Sequence, residues 1–235
     1  MEYKLVADSC CELVPALTGP LNARTAPLTI LLDDVSYIDD DSMDIPRFLA
    51  AMKQSRHIPK SACPAPDVWA RLFLEAEEVF AVTLSSKLSG SYNSAMVARE
   101  MVESEHPGHR VHVFDSLSAS AGEIAVGIRI KECAEAGMAF DEIVREVTAF
   151  IHGMKTYFIV ENLDTLIKAG RMGRLTGYVA SAMSLRPIMM GDAGEIKLYE
   201  KARGSVRAFT RLVDIIGGCC GTTPEHIFEL AKIAG

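Results

Sequence analysis

No apolar run in this 235-residue chain reaches the roughly 18 positions that a membrane-spanning helix requires. The opening stretch, MEYKLVADS, has no basic region followed by an apolar core, so it does not read as a secretory signal. There are six cysteines, but four form the adjacent pairs Cys10–Cys11 and Cys219–Cys220, and neighbouring cysteines seldom bridge each other. Reduced thiols and a cytoplasmic location are expected. The phosphate-binding signature G-x-x-x-x-G-K-[ST] is missing, as is a strand-linked G-x-G-x-x-G, which argues against a nucleoside triphosphate site. There is no G-x-S-x-G elbow, and no motif ties His57, His106, His109, His112, His152 or His226 to a serine, so a hydrolase is disfavoured. Asp39-Asp40-Asp41 lack the spacing of a calcium loop and read as a solvated segment ahead of a helix at Asp44. A net charge of −7 argues against a nucleic-acid binder.

What is present is an ordinary globular composition, 49% apolar and 23% charged. Short apolar runs alternate with helical patterns. Strands are expected over 3–9, 26–32, 78–85 and 110–116, and helices over 44–55, 66–78, 89–104, 117–137 and 141–153. In the last helix Ile143, Val147, Phe150 and Ile151 share one face. This alternation predicts a parallel α/β/α sandwich over 1–152. From residue 153 the pattern changes: a strand over 156–161, a short helix stopped by Gly170, a basic turn GRMGRLTGY, then two strands joined at GDAG. A smaller α+β domain is expected over 153–235.

The segment LSSKLSGSYNSA (84–95) places serines where a strand ends and a helix begins. Asp8-Ser9, Ser85-Ser86 and Asp115-Ser116 end other expected strands, and Ser61 precedes a helix. In a doubly wound sheet ligands sit beyond the carboxyl ends of strands. Hydroxyls and amide N–H groups there suit a carboxylate or a phosphate; equally, Ser89 reads as a plain helix cap. Charge is uneven: residues 1–153 hold 13 Lys+Arg against 23 Asp+Glu, whereas 161–211 hold 9 against 5. That asymmetry fits either a docking face or scattered solvated charges.

The segments ADS (7–9), PKSACPAPDVW (59–69), LSSKLSGSYNSA, VFDSLSAS (113–120), FIVENLDTLIKAGRMGR (158–174) and LRPIMMGDAGEIKLYEKARG (185–204) together resemble the DegV family of bacterial lipid-binding proteins, over about residues 3–212. The resemblance implies a non-enzymatic two-domain carrier that buries one long-chain fatty acid between its domains, with no other cofactor. It implies a partner too: the catalytic subunit of a fatty acid kinase, which converts the presented acid to acyl phosphate for phospholipid synthesis. By the same resemblance, the carboxylate contacts fall on Ser61 and Ser89, with Gly90 opening the helix. Met183, Leu185, Ile188 and Met189 are candidates for the acyl tunnel, or else ordinary core. Lys168, Arg171, Arg174 and Arg203 are candidates for docking the kinase.

Two departures from the family pattern stand out. Relatives continue beyond the KARG region with a strand and a supporting His, so the second domain is expected to be truncated here; His226 falls short of that position. GGCCGTTPEHI (217–227) resembles the zinc segment of homocysteine methyltransferases, with Cys219 and Cys220 as soft ligands. A zinc-dependent methyltransferase fragment is therefore one alternative, and a lipid-stabilised regulatory or interaction protein is another. No metal ligand set is expected, because no third ligand accompanies the two cysteines.

Overall fold

The computed structural model describes residues 3–13, 22–159, 170–171 and 185–216. The chain divides into two compact units, Met1–Met154 and Lys155–Gly235.

The first unit is organised by a four-stranded parallel sheet in the order β2-β1-β6-β7. Its strands are β1 (Tyr3–Asp8), β2 (Arg24–Ala26), β6 (Glu78–Thr83) and β7 (Arg110–Asp115). β1 is buried at all six positions, as a central strand covered on both faces must be. Alternate residues feed two cores. Leu5, Ala7, Phe80, Val82 and Phe114 meet Val126 and Ile130 of α4 (Ala121–Glu135) and Phe140, Ile143 and Val147 of α5 (Phe140–Gly153). Val6, Val79, Ala81, Val111 and Val113 point the other way, onto Trp69 and Phe73 of α2 (Pro66–Phe73) and Ala95 and Ala98 of α3 (Ser91–Glu105). The expected α/β/α sandwich is thus formed, with its registers running Tyr3↔Glu78 to Ala7↔Val82 and Glu78↔Arg110 to Thr83↔Asp115.

The segment 26–32 is not the single strand expected. It breaks after Ala26, where Pro27 brings no N–H to a ladder, and the chain enters a second sheet. That sheet is antiparallel, in the order β4-β3-β5: β3 (Thr29–Leu32), β4 (Val35–Ile38) and β5 (Lys60–Ala62). The loop reading of Asp39–Asp41 holds, and the Asp44 carboxylate caps α1 (Ile45–Gln54) by accepting from the Arg47 N–H at 3.0 Å. Ser61 therefore lies within a strand, opposite Ile30, rather than in a simple lead-in to a helix.

In the second unit β8 (Thr156–Ile159), β9 (Leu185–Asp192) and β10 (Glu195–Arg203) form an antiparallel sheet in the order β10-β9-β8. β9 and β10 join through Ala193 and Gly194 at φ 49° and 83°, the doubly left-handed pair of a type I′ hairpin, at the expected GDAG turn. α6 (Ser205–Ile216) lies on the sheet with Ala208 and Leu212 buried. Gly170 adopts φ 72°, suited to a helix stop, although residues 160–169 before it lie outside the described set.

One close approach matters for the site. Gly122, in the first turn of α4, is buried, and a Cβ there would overlap the Ser118 side chain. Gly122→Ala should lower unfolding stability by about 1–3 kcal/mol, since Ser118 is itself packed and the backbone must shift. Urea unfolding checks this; a midpoint equal to wild type would mean that the 116–120 loop yields freely.

Candidate functional site

The parallel strands end together, and their polar termini form one cluster. Most of its hydroxyls are already engaged. Ser85 Oγ accepts from the Lys87 N–H at 3.2 Å, Ser116 Oγ accepts from the Ser118 N–H at 3.2 Å, and Ser9 Oγ donates to Asp39 at 2.7 Å. Ser85 and Ser116 are fully buried. The sequence reading that each strand end delivers a hydroxyl to one crevice is corrected for these three: burial withdraws Ser85 and Ser116, and Ser9 has spent its proton on Asp39.

Ser89 is different. It is half-buried and stands two residues ahead of α3, and its Oγ accepts from the Ser91 N–H at 3.2 Å. Gly90 holds the cap position, is exposed, and gives no side-chain bond, so Ser89 is not the cap itself. A hydroxyl that accepts one bond still has a proton to donate, and the amides of a helix first turn lack partners within the helix. The loop after β5 reaches the same turn: Ser94 Oγ donates to the Pro64 carbonyl at 2.5 Å, and Cys63 Sγ lies 3.2 Å from where a Cβ on Gly90 would stand. Ser61, exposed in β5, is three residues from Pro64.

Behind this turn is a buried carboxyl pair. Asp8, at the end of β1, accepts from the Ser91 hydroxyl at 2.6 Å, the Leu84 N–H at 3.0 Å and the Cys10 N–H at 3.1 Å. Glu123, in α4, accepts from the Ser120 N–H at 3.1 Å, while its Oε2 is buried and makes no hydrogen bond among the described residues. Ligand atoms of Asp8, Cys10 and Glu123 lie within 4.8 Å of one another. Burial, and then the Asp8 charge, push the Glu123 carboxyl up to about 10. Burial likewise pushes the Cys10 thiol up to about 12. Asp8 is also raised by burial, but its three donors oppose the shift. Glu123 therefore keeps a proton and Asp8 carries the charge. Burial favours the protonated forms of Glu123 and Cys10, so the trio would have to give up protons to hold a cation. The Ser120–Glu123 capping box (S-x-x-E) was readable in the sequence, but its burial against Asp8 was not.

The remaining sequence candidates fall as follows. Ile188 and Met189 are fully buried neighbours in β9, so they point to opposite faces and at most one can face any given ligand. Leu185 begins β9 and Arg203 ends β10, where it is exposed. Arg171 is half-buried beside Gly170. Lys168, Arg174, Met183, Cys219 and Cys220 lie outside the described residues. A cavity of about 550 Å3 opens at the opposite, amino ends of the strands, lined by Tyr3, Lys4, Glu75, Glu78 and Arg110. Lys4 and Arg110 are already ion-paired to Glu75 and Glu78, so this lining does not suit an apolar ligand.

The sequence model of the DegV family, described as uncharacterised proteins, matches residues 2–231. The chain belongs to the DegV family. A DegV domain-containing protein of Streptococcus pneumoniae is 35% identical over 218 residues, which cover 91% of this chain and 77% of the relative. Among solved structures, a DegV family protein of Ruminococcus gnavus refined with vaccenic acid superposes with a TM-score of 0.89 at 34% identity, covering 100% of this chain and 90% of the other. The S. pneumoniae Fatty Acid Kinase (Fak) B3 protein, loaded with linoleic acid, gives 0.88 at 31% identity, covering 99% and 88%. Among the described residues of this DegV chain, no helix is long and apolar enough to cross a membrane.

A proton held by Glu123 only in the folded state makes stability depend on pH. The folded group binds a proton between about 4.5 and about 10 that the unfolded group releases, so stability should fall as pH rises through that window. Glu123→Gln presents an amide in place of the protonated carboxyl and removes this slope. Urea unfolding at several pH values checks it. Parallel slopes in wild type and variant would mean that Glu123 is ionised in the fold.

Proposed function

We propose that this DegV protein is a carrier that binds a long-chain fatty acid, holds its carboxylate with Ser61 and Ser89 at the start of α3, and presents it to the catalytic subunit of a fatty acid kinase. The observation that carries the reading is the half-buried Ser89 hydroxyl at the N-terminus of a 15-residue helix, in a chain whose solved relatives hold fatty acids. A carboxylate carries a single charge over two acceptor oxygens, and hydroxyl donors and first-turn amides can satisfy both without a lysine or arginine. Gly90 lets the ligand approach the backbone where a larger residue would crowd Cys63. Phosphoryl transfer belongs to the separate kinase, and the carrier's part is to orient the carboxylate. Met183, Leu185 and one of Ile188 and Met189 are the candidates for contact with the acyl tail.

Purified protein should release a long-chain fatty acid on solvent extraction, read by mass spectrometry. Protein that is empty and also fails to take up added oleate would overturn the reading. Ser61→Ala and Ser89→Ala should each weaken oleate binding by about 1–3 kcal/mol, because one carboxylate oxygen loses a hydrogen-bond donor. Unchanged affinity in both variants would move the headgroup elsewhere.

Arg203 is exposed at the end of β10, and a solvent-facing guanidinium there suits an acidic partner surface. Arg203→Glu should leave oleate affinity near wild type but slow acyl phosphate formation at limiting carrier, and the wild-type rate should fall as salt rises. An unchanged rate, or equal loss of oleate binding, would contradict a docking role.

A further inference from the structure

Resting on that reading, we propose that Asp8 is a positioning residue for the headgroup site: it holds both ends of the segment 84–91 that carries Ser89, and it does so as a buried anion that a bound carboxylate feels. The geometry is direct. Asp8 Oδ2 accepts from the Leu84 N–H at the start of the segment and from the Ser91 hydroxyl at its end, at 3.0 and 2.6 Å. Ser91 is fully buried, and its own N–H donates to Ser89 Oγ at 3.2 Å. The chain Asp8–Ser91–Ser89 is therefore continuous from the core of the sheet to the hydroxyl assigned to the ligand. In the middle of the segment, the Ser86 N–H donates to the Asp115 carboxylate at the end of β7 at 3.1 Å. Two strand-end carboxylates thus fix the turn at three points.

The groups around Asp8 leave its charge in place. From its own strand end come the Cys10 and Cys11 thiols, both held in the protonated form by burial. From α4 comes Glu123, which keeps its proton, and from β7 comes Asp115, whose carboxylate also accepts from the Leu117 N–H at 3.0 Å. The segment itself adds Lys87, whose side chain is exposed. Ser91 bridges Asp8 and Ser89, donating its hydroxyl to the one and its N–H to the other. A like charge close to an acid makes it harder to ionise.

The test uses the full chain and [1-13C]oleic acid, with the carboxyl resonance of the bound acid followed by NMR from about pH 5 to about pH 9. The expected result is that Asp8→Asn lowers the titration midpoint of the bound acid by about one pH unit. Ser91→Ala, which keeps the Asp8 charge, should leave the midpoint in place and weaken oleate binding roughly tenfold, with Ser91→Thr restoring it. A purely structural Asp8 would lower the melting temperature of Asp8→Asn without moving the midpoint, and that outcome overturns the proposal. So does wild-type affinity in Ser91→Ala, which decides the matter alone if Asp8→Asn does not fold. Wild-type protein that takes up no oleate would instead defeat the fatty acid reading itself, a result distinguishable from either.

Discussion

The Asp8 carboxylate is the constraint around which the first unit is arranged. A carboxylate removed from water is costly unless hydrogen bonds replace its hydration. Here the replacements come from the Leu84 N–H and the Ser91 hydroxyl, 76 and 83 positions along the chain, as well as from the adjacent Cys10 N–H. The three bonds form together only when β1 and β6 pair in the observed register and α3 starts at Ser91. A slip of the β1–β6 register by one residue would put Leu5 and Phe80 on opposite faces of the sheet and take the Leu84 and Ser91 donors from Asp8. Apolar burial supplies the driving force of the fold, and the buried anion makes one register far better than its neighbours.

Glu123 extends the same logic. A second ionised carboxylate beside Asp8 would be untenable in this interior, so the fold holds Glu123 in its neutral form. Its Oε1 accepts the Ser120 N–H in a capping box, and Ser120 adopts the left-handed φ of 50° with Leu117 at 52° in the same loop. That loop is backed by Gly122, where no side chain fits. The strand-end region therefore concentrates strained backbone, a neutral buried acid and a buried anion in one place. Such features are expected where geometry matters more than stability.

Much of this was legible in the sequence. The alternation of apolar runs and helical patterns gave the parallel sheet and both of its helical layers, because strands buried on two faces read as continuous apolar runs. The GDAG hairpin and the Asp44 cap were legible because turn and cap chemistry is local. The break at Pro27 and the β3-β4-β5 sheet were not, since β4 and β5 are short, largely exposed and stabilised by pairing rather than by their own composition. At the candidate site, Ser89 and Gly90 are proposals that rest on motif and strand-end logic. The engagement of Ser85, Ser116 and Ser9 by neighbouring turn atoms was invisible, as was the meeting of Asp8 and Glu123, because both depend on contacts between distant segments. Ile188 and Met189 were grouped by hydrophobicity, whereas strand periodicity places them on opposite faces.

Family membership and the bound fatty acids of solved relatives agree with the chemistry of the α3 turn: a hydroxyl with a proton to give, helix amides, and a backbone open at Gly90. A crystal structure of the full chain grown with oleate would decide the matter most directly. The expected result is a carboxylate within about 3.2 Å of the Ser61 and Ser89 hydroxyls, at the start of α3. A carboxylate found elsewhere, for example in the cavity at the amino ends of the strands beside Lys4 and Arg110, would contradict the assignment.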